Sequence, residues 1–192
     1  MGFNHNDFYH PFLLRQVPRD CRRALDVGCG SGTFARALAS RSVAVDAIDR
    51  SAAMIAAAGE APGVTYLNAD VRDHDLGTDR YDFVSCIASL HHLPFAETVT
   101  KLRDVLRPGG VLAVLGLNRP SLGDLPMAAL AVVPNRVRIL LAPRGKGAGP
   151  EPPIMDPDMT LREIREQAGD QLPGARLRRH LYFRYSLVYR KP

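Results

Sequence analysis

The segment Ala24-Leu25-Asp26-Val27-Gly28-Cys29-Gly30-Ser31-Gly32-Thr33-Phe34 decides the fold. It begins as a buried strand, turns at three closely spaced glycines and continues into a helix from Thr33. Glycine lets the backbone turn sharply and approach a ligand closely, and open parallel sheets bind ligands at such strand–helix junctions. The segment therefore predicts the first β–α unit of an α/β protein, with a ligand site at the turn.

The spacing of these glycines distinguishes between ligands. Dinucleotide-binding proteins carry G-x-G-x-x-G, whereas this turn reads G-x-G-x-G, with Thr33 at the place of the last fingerprint glycine. The strand also carries Asp26, whose carboxylate would repel a pyrophosphate and attract a cationic amino-acid group. The turn thus favours the methionine portion of S-adenosylmethionine over NAD, and disfavours an NAD-binding oxidoreductase.

Short apolar runs alternate with helical segments on both sides of this turn. Strands are predicted over 24–27, 43–48, 64–68, 81–87 and 111–117, and helices over 33–40, 51–58 and 95–106. Nearly continuous apolar strands separated by helices indicate a parallel sheet covered on both faces, which is a doubly wound α/β fold. Residues 107–110, Arg-Pro-Gly-Gly, are predicted to form a turn, because proline fixes φ and glycine supplies positive φ.

The C-terminal third has a different pattern. Residues 118–158 contain most of the prolines and are predicted to form a lid or cap insertion. A capping box made by Thr160 and Glu163 predicts a helix over 160–168. Residues 175–191 are predicted to add two strands, which makes a sheet of seven within a single domain over 1–192.

Bulk composition fits one globular domain. The chain has 192 residues, 46% hydrophobic and 23% charged. Three sparse cysteines without metal-ligand spacing indicate a reducing cytoplasm, and argue against a disulfide framework or a bound metal. The sequence shows neither a signal-peptide pattern nor an apolar run of about 18 residues, so a cytoplasmic protein is expected.

The net charge of +5 raises the question of a nucleic-acid partner. Much of the surplus lies near the C-terminus, whereas the segment 46–82 is rich in acidic residues. A basic end on a mixed surface is better interpreted as a solvated basic strand pair, which argues against nucleic acid as partner. The basic residues concerned are Arg176, Arg178, Arg179, Arg184, Arg190 and Lys191.

Several motifs in this order resemble the class I S-adenosylmethionine-dependent methyltransferases, close to the type 11 group that includes ubiquinone and menaquinone biosynthesis enzymes. The matching segments are 25–32, 45–49, 68–71, 81–93 and 106–110, within roughly residues 24–116. The resemblance implies a Rossmann-like, mostly parallel seven-stranded sheet with an antiparallel C-terminal strand. It also implies methyl transfer from S-adenosylmethionine, which leaves S-adenosylhomocysteine.

The resemblance also assigns cofactor contacts. Asp49 would accept the ribose hydroxyls, with Asp46 in mid-strand as the alternative, and Asp70 would accept the adenine amino group. Asp26 would receive the ammonium group of the methionine portion directly or through water. The alternative is a structural carboxylate that accepts N–H groups of the turn, and the two roles are compatible. The full set of expected cofactor residues is Asp26, Gly28, Cys29, Gly30, Gly32, Asp49, Arg50, Asp70, Val71 and Ala88, with Val71 beside the adenine and Ala88 near the reacting methyl group.

Catalysis needs little beyond alignment, because a sulfonium methyl group is already activated. His91 and His92 follow the fourth strand and are candidate general bases for an acceptor that must lose a proton, or they only pack there. Residues 1–20 are expected to cover the cofactor and substrate, as this segment often does in the family. Tyr9 and His10 are therefore candidate substrate contacts, with an aromatic staple at the edge of the core as the alternative.

The methyl acceptor is expected to be a small apolar or aromatic molecule. This expectation rests on the apolar segment 125–134 within the insertion. A peripheral membrane contact or a dimer interface would also explain that segment, so both a monomer and a homodimer stay open. An RNA or protein methyltransferase and a non-catalytic S-adenosylmethionine-binding protein are the alternative functions.

Overall fold

The computed structural model describes residues 7–120, 156–180 and 183–192. Within these ranges the chain forms seven strands: β1 Arg23–Val27, β2 Ala44–Asp49, β3 Val64–Asn68, β4 Tyr81–Ile87, β5 Leu106–Leu117, β6 Arg176–Arg179 and β7 Arg184–Arg190. The helices there are α1 His10–Leu14, α2 Thr33–Ala39, α3 Ala52–Ala58, α4 Phe95–Asp104 and α5 Leu161–Gln171. Short 3-10 turns occupy Asp7–Tyr9 and Leu90–His92.

The strands form one sheet in the order β3-β2-β1-β4-β5-β7-β6. β1 to β5 pair in parallel, and β7 runs antiparallel to both β5 and β6. The predicted doubly wound, mostly parallel seven-stranded sheet with an antiparallel C-terminal strand is confirmed. The strand order reverses between β1 and β4, and such a switch point opens a crevice at the carboxyl ends of the strands.

Two helical layers cover the sheet. Alternate residues of each strand point to opposite faces, so that Ala24 and Phe83 pack with α1 and α2 while Leu25 and Val84 pack with α4 and α5. All four of these side chains are completely buried. Because both faces are closed by helices, the edge at the carboxyl ends of the strands is where a ligand can reach the sheet.

The predicted helix starts agree with the structure. The Ser51 hydroxyl accepts a hydrogen bond from the Met54 backbone N–H at 3.3 Å and caps α3. Thr160 and Glu163 form the predicted capping box at the start of α5. α5 continues beyond the predicted end at residue 168 because the burial of its apolar side extends to Leu172.

The predicted turn at 107–110 is instead part of a bulged strand. α4 ends at Asp104 and β5 already begins at Leu106. Tyr81 pairs with Leu106 and Phe83 with Val111, so β5 contains extra residues between these two pairs. The end of the chain holds the bulge in place: the Gly109 N–H donates to the Lys191 carbonyl, and the Lys191 N–H to the Gly110 carbonyl, both at 2.9 Å. This pairing partner is remote in sequence, which explains the wrong prediction.

Most of the predicted insertion lies outside the described residues. Of 118–158, only 118–120 and 156–158 are described, and the apolar segment 125–134 is not among them. Within the described residues, every helix is too short or too polar to cross a membrane.

Candidate active site

The glycine turn is fastened to the neighbouring strand at the carboxyl edge of the sheet. The backbone N–H groups of Gly28 and Cys29 both donate to the Ile48 carbonyl, at 2.8 and 3.1 Å. On the other side, the Ala88 N–H donates to the Leu115 carbonyl at 2.7 Å. The glycine turn after β1 is thereby fastened to the end of β2, and the end of β4 is fastened to β5.

The three positions of the turn require glycine for different structural reasons. Gly28, Gly30 and Gly32 all have positive φ, at 67°, 53° and 75°. A Cβ atom at Gly28 would overlap the Ser89 side chain, and one at Gly32 would overlap the Tyr66 ring. A Cβ atom at Gly30 would meet no heavy atom within 4 Å. The backbone at Gly30 therefore faces open space, as a close approach to a cofactor requires.

Asp49 joins the end of β2 to this turn. One carboxylate oxygen accepts the Gly30 N–H and the other accepts the Ser51 N–H, both at 2.8 Å. Each oxygen has a second lone pair. The carboxylate is thus oriented by the backbone and can still accept two further hydrogen bonds, as the two hydroxyls of a ribose would require.

Asp46, the alternative to Asp49, is buried, and other side chains of the protein already bind its carboxylate. Its Oδ2 accepts the Tyr81 hydroxyl at 2.7 Å and the Arg23 guanidinium at 2.9 Å. Arg80 lies 3.5 Å from the same oxygen. These partners hold Asp46 away from the carboxyl edge, which leaves Asp49 as the ribose candidate.

Asp26 is buried below the glycine turn, with 2% of its surface exposed. It lies opposite Ser85 in the β1–β4 register and accepts the Ser85 hydroxyl at 2.7 Å. Burial raises the pKa of Asp26 to about 7; the charge of Asp49 adds to this, while the bonds from Ser85 and from the Ala35 N–H oppose it. The geometry supports the structural role, since the carboxylate already accepts hydrogen bonds from β4 and α2 and so connects them to β1.

Asp70, after β3, is tightly paired with Arg72. Both Asp70 oxygens accept hydrogen bonds from the Arg72 guanidinium, at distances from 2.7 to 3.1 Å, and Oδ1 also accepts the Arg72 N–H at 2.9 Å. The Arg72 side chain is the main cause of the lowered pKa of Asp70, about 2. An adenine amino group would have to compete with this half-exposed guanidinium. The Val71 side chain is buried in the core, so Val71 could meet an adenine through its backbone only.

Ala88 and Ser89 shape the end of β4. Ala88 has φ of 51°, which is uncommon for a residue with a Cβ atom and marks strained backbone of the kind found at functional sites. The Ser89 hydroxyl lies 3.2 Å from the Gly28 carbonyl and 3.0 Å from the Ile87 carbonyl. Ser89 therefore joins β4 to the glycine turn, a role that sequence reasoning missed because it depends on the pairing of β1 with β4.

Cys29, expected among the cofactor residues, is a buried thiol. Burial is the main cause of its raised pKa, and the charges of Asp26 and Asp49 add to it. Cys29 stays protonated at neutral pH, and its contribution to the turn is its backbone bond to β2.

His91 and His92 form a pair of tilted rings in the turn after β4, with ring centroids 4.0 Å apart and an interplanar angle of 38°. Burial lowers the pKa of both imidazoles. The pKa of His91 falls to about 4, with the neighbouring His92 and Arg184 adding to the shift and Asp158 opposing it. Both rings are neutral at physiological pH, and the Nδ1 atom of each is buried without a hydrogen-bond partner among the described residues.

Arg50 connects the histidine pair electrostatically to the cofactor residues. It is exposed directly after Asp49. Burial is the main cause of the lowered pKa of His92, and the charge of Arg50 lowers it further. The main cause of the lowered pKa of Asp70 is Arg72, and Arg50 makes a smaller contribution. Among the described residues, no group of three or more His, Cys, Asp or Glu side chains is placed to hold a metal ion.

Tyr9 and His10 lie at the start of α1. The His10 ring packs against Phe34 at 5.0 Å between centroids, in the first turn of α2 beyond the glycines. The Tyr9 ring packs against His180 at 5.1 Å, just after β6. The start of α1 therefore contacts both the first turn of α2 and the segment just after the edge strand β6.

Comparison with known proteins agrees with this geometry. A family model described as a methyltransferase domain matches residues 24–110. Uncharacterized methyltransferase Rv0089 of Mycobacterium tuberculosis is 34% identical over 199 residues, which cover 99% of this chain and 98% of that protein. A ubiquinone biosynthesis O-methyltransferase of Xylella fastidiosa is 33% identical over 141 residues, 70% of this chain and 56% of that protein.

A solved structure shows the same fold. A SAM-dependent methyltransferase from Aquifex aeolicus superposes with a TM-score of 0.64 at 19% identity, over 95% of this chain and 89% of that one. Sheet topology and glycine turn together define the class I methyltransferase fold. The chain belongs to the S-adenosylmethionine-dependent methyltransferases, and the predicted enzyme class is confirmed.

Proposed function

We propose that this enzyme transfers the methyl group of S-adenosylmethionine to a small apolar or aromatic molecule. The observation that carries the cofactor part is the arrangement of Gly30 and Asp49: an open backbone turn lies next to a carboxylate that the turn itself orients. A relative that matches 70% of this chain is a ubiquinone biosynthesis O-methyltransferase, which supports a small acceptor methylated at oxygen.

The cofactor would lie across the ends of β1, β2 and β3. Asp49 would accept the ribose hydroxyls, and the backbone of Gly28–Gly32, Cys29 included, would face the methionine portion. Asp26 would act through the turn that it supports, because its carboxylate already accepts hydrogen bonds from the Ser85 hydroxyl and the Ala35 N–H. Asp70, with Arg50 nearby, would meet the adenine end once the Arg72 ion pair opens. Bound there, the cofactor supplies a methyl group on a positively charged sulfur.

The acceptor would lie next to Ala88, where the strained end of β4 faces the histidine pair. A general base works best with a pKa near the operating pH, and the pKa of His91 is about 4. We therefore propose that His91 and His92 bind and orient the acceptor as neutral hydrogen-bonding groups. Tyr9 and His10 would close the site from α1, and alignment with exclusion of water would provide most of the rate.

A methyl-transfer screen tests this proposal. The enzyme would be incubated with S-adenosylmethionine labelled in its methyl group and with phenols, hydroquinones, anilines, lipid vesicles or total RNA. We expect label in an organic-extractable small molecule, and none with Asp49→Ala. Label found only in RNA or in protein would contradict the proposed acceptor class.

A further inference from the structure

Three buried polar side-chain atoms have no hydrogen-bond partner among the residues that the structure describes: His91 Nδ1, His92 Nδ1 and Asn118 Oδ1. All three lie just beyond the carboxyl ends of the neighbouring parallel strands β4 and β5. Buried polar groups in native proteins nearly always have partners, so each exception needs an explanation. Three exceptions at one edge of one sheet point to a ligand that would provide the partners.

Asn118 is the most informative of the three because it is 1% exposed and its amide orientation is fixed. Its Nδ2 donates to the Arg119 carbonyl at 3.1 Å, and its backbone N–H donates to the Phe183 carbonyl at 2.9 Å. A flipped amide would bring two oxygens together, so the atom left without a partner is the oxygen. Asn118 therefore presents an acceptor and requires a donor.

The surroundings place Asn118 on the acceptor side. Its neighbour Leu117 pairs with Arg184 of β7. The charges of Arg184 and Asp158 both act on the pKa of His91, so Arg184 lies near the histidine pair as well as beside the end of β5. The glycine turn and Asp49 lie on the other side of β4, since β1 and β5 flank that strand.

We propose that Asn118 Oδ1 accepts a hydrogen bond from the nucleophilic hydroxyl or amino group of the methyl acceptor and so directs its lone pair at the methyl carbon. This inference rests on the proposed function and narrows it to acceptors with an O–H or N–H nucleophile. In the transfer, that heteroatom bonds to the methyl carbon while the carbon–sulfur bond breaks and leaves its electron pair on sulfur. The proton of the heteroatom then passes to water.

The test uses isosteric probes on the enzyme saturated with S-adenosylhomocysteine. Phenol and aniline carry a donor, whereas toluene has the same shape without one. Dissociation constants for the three probes would be measured by NMR titration of the ¹⁵N-labelled full-length protein. The comparison is between the wild type, Asn118→Leu, which keeps the side-chain shape without the oxygen, and Thr100→Val. Thr100 bonds Gln171 between α4 and α5, away from the edge, so Thr100→Val controls for a lost half-buried hydrogen bond.

In the wild type and in Thr100→Val, we expect phenol and aniline to bind more tightly than toluene. In Asn118→Leu, this preference for the probes with a donor should be lost. The ratio of the toluene to the phenol dissociation constant should fall about tenfold in Asn118→Leu, the usual size of one net hydrogen bond. An unchanged ratio, or absence of binding by all three probes to the wild-type complex, would overturn the inference. Failure of S-adenosylhomocysteine itself to bind would instead refute the proposed function.

Discussion

The carboxyl edge of the sheet has two halves, one proposed to bind the cofactor and the other the acceptor, and they differ in how their polar groups are satisfied. In the cofactor half, at the ends of β1, β2 and β3, Asp26, Asp49 and Asp70 are each oriented by hydrogen bonds from the protein. In the acceptor half, at the ends of β4 and β5, the histidine pair and Asn118 keep buried polar atoms without partners among the described residues.

This difference separates two ways of building a site. The cofactor half is preorganised, because its carboxylates are fixed before a ligand arrives and need little reorganisation. The acceptor half leaves its polar groups to be completed by the ligand, which is how a pocket selects for a molecule with the matching donor. Substitutions in the cofactor half should therefore alter stability as well as cofactor binding, and those in the acceptor half mainly acceptor binding and turnover.

The largest expected effect concerns Asp26. Its folded-state pKa of about 7 lies above the usual 3.8, so the folded protein holds a proton that the unfolded chain releases. Stability should fall as the pH rises from about 4 to 7, by at most about 4 kcal/mol. Asp26→Asn removes this titration. Urea unfolding of both proteins at pH 5 and pH 8 should show a smaller loss in the variant, and equal losses would contradict the assignment.

Gly28→Ala should destabilise the protein by about 3 kcal/mol, because the alanine would have to adopt a positive φ and its Cβ atom would overlap the Ser89 side chain. Gly30→Ala is the matched control, since it has similar φ but no neighbour within 4 Å, and should cost only about 1 kcal/mol. Urea denaturation measures both. Adding Ser89→Gly should restore part of the stability of Gly28→Ala, and equal costs for the two glycines would refute the steric argument.

His91→Phe, which keeps a planar ring without the two nitrogen atoms, tests the acceptor half. We expect kcat to fall about tenfold, because the variant lacks one buried hydrogen-bonding group but does not lose a general base. The pH profile of kcat between pH 6 and 8 should keep its shape, since His91 is already neutral there with a pKa of about 4. A loss of more than about 100-fold together with a shifted profile would identify His91 as a general base after all.

The smallest effect is expected at Arg72. Arg72→Gln breaks an exposed ion pair, so the stability of the protein should hardly change. If the freed Asp70 accepts the adenine amino group, S-adenosylhomocysteine should bind up to about fivefold more tightly, measured by calorimetry. Weaker binding would show instead that Arg72 itself contacts the cofactor.

Local sequence patterns predicted the fold well. They indicated the geometry of the candidate site only where it depends on residues that are close together in the sequence. The glycine turn, the caps at Ser51 and Thr160 and the apolar strands depend on neighbouring residues, and all agree with the structure. The bulge at 107–110 depends on Lys191, at the other end of the chain. No local pattern contains that information.

The same limit applies to the site. Asp49 could be placed from its position after β2, but the Asp26–Ser85 pair requires knowledge of the β1–β4 register. Asn118 carried a readable signal, because it is the first polar side chain after the apolar strand 111–117. Its unpartnered oxygen, however, becomes visible only once the surrounding backbone is in place.

The most direct test of the central claim is calorimetry with S-adenosylhomocysteine, with NAD as a control ligand. The wild type should bind S-adenosylhomocysteine and not NAD. Asp49→Ala should bind it at least about 100-fold more weakly, because two hydrogen bonds from the ribose hydroxyls to a charged carboxylate are lost. Asp73→Ala, which removes the same charge at an exposed position nearby, should leave the affinity unchanged. Undiminished affinity in Asp49→Ala, or binding of NAD instead, would contradict the account.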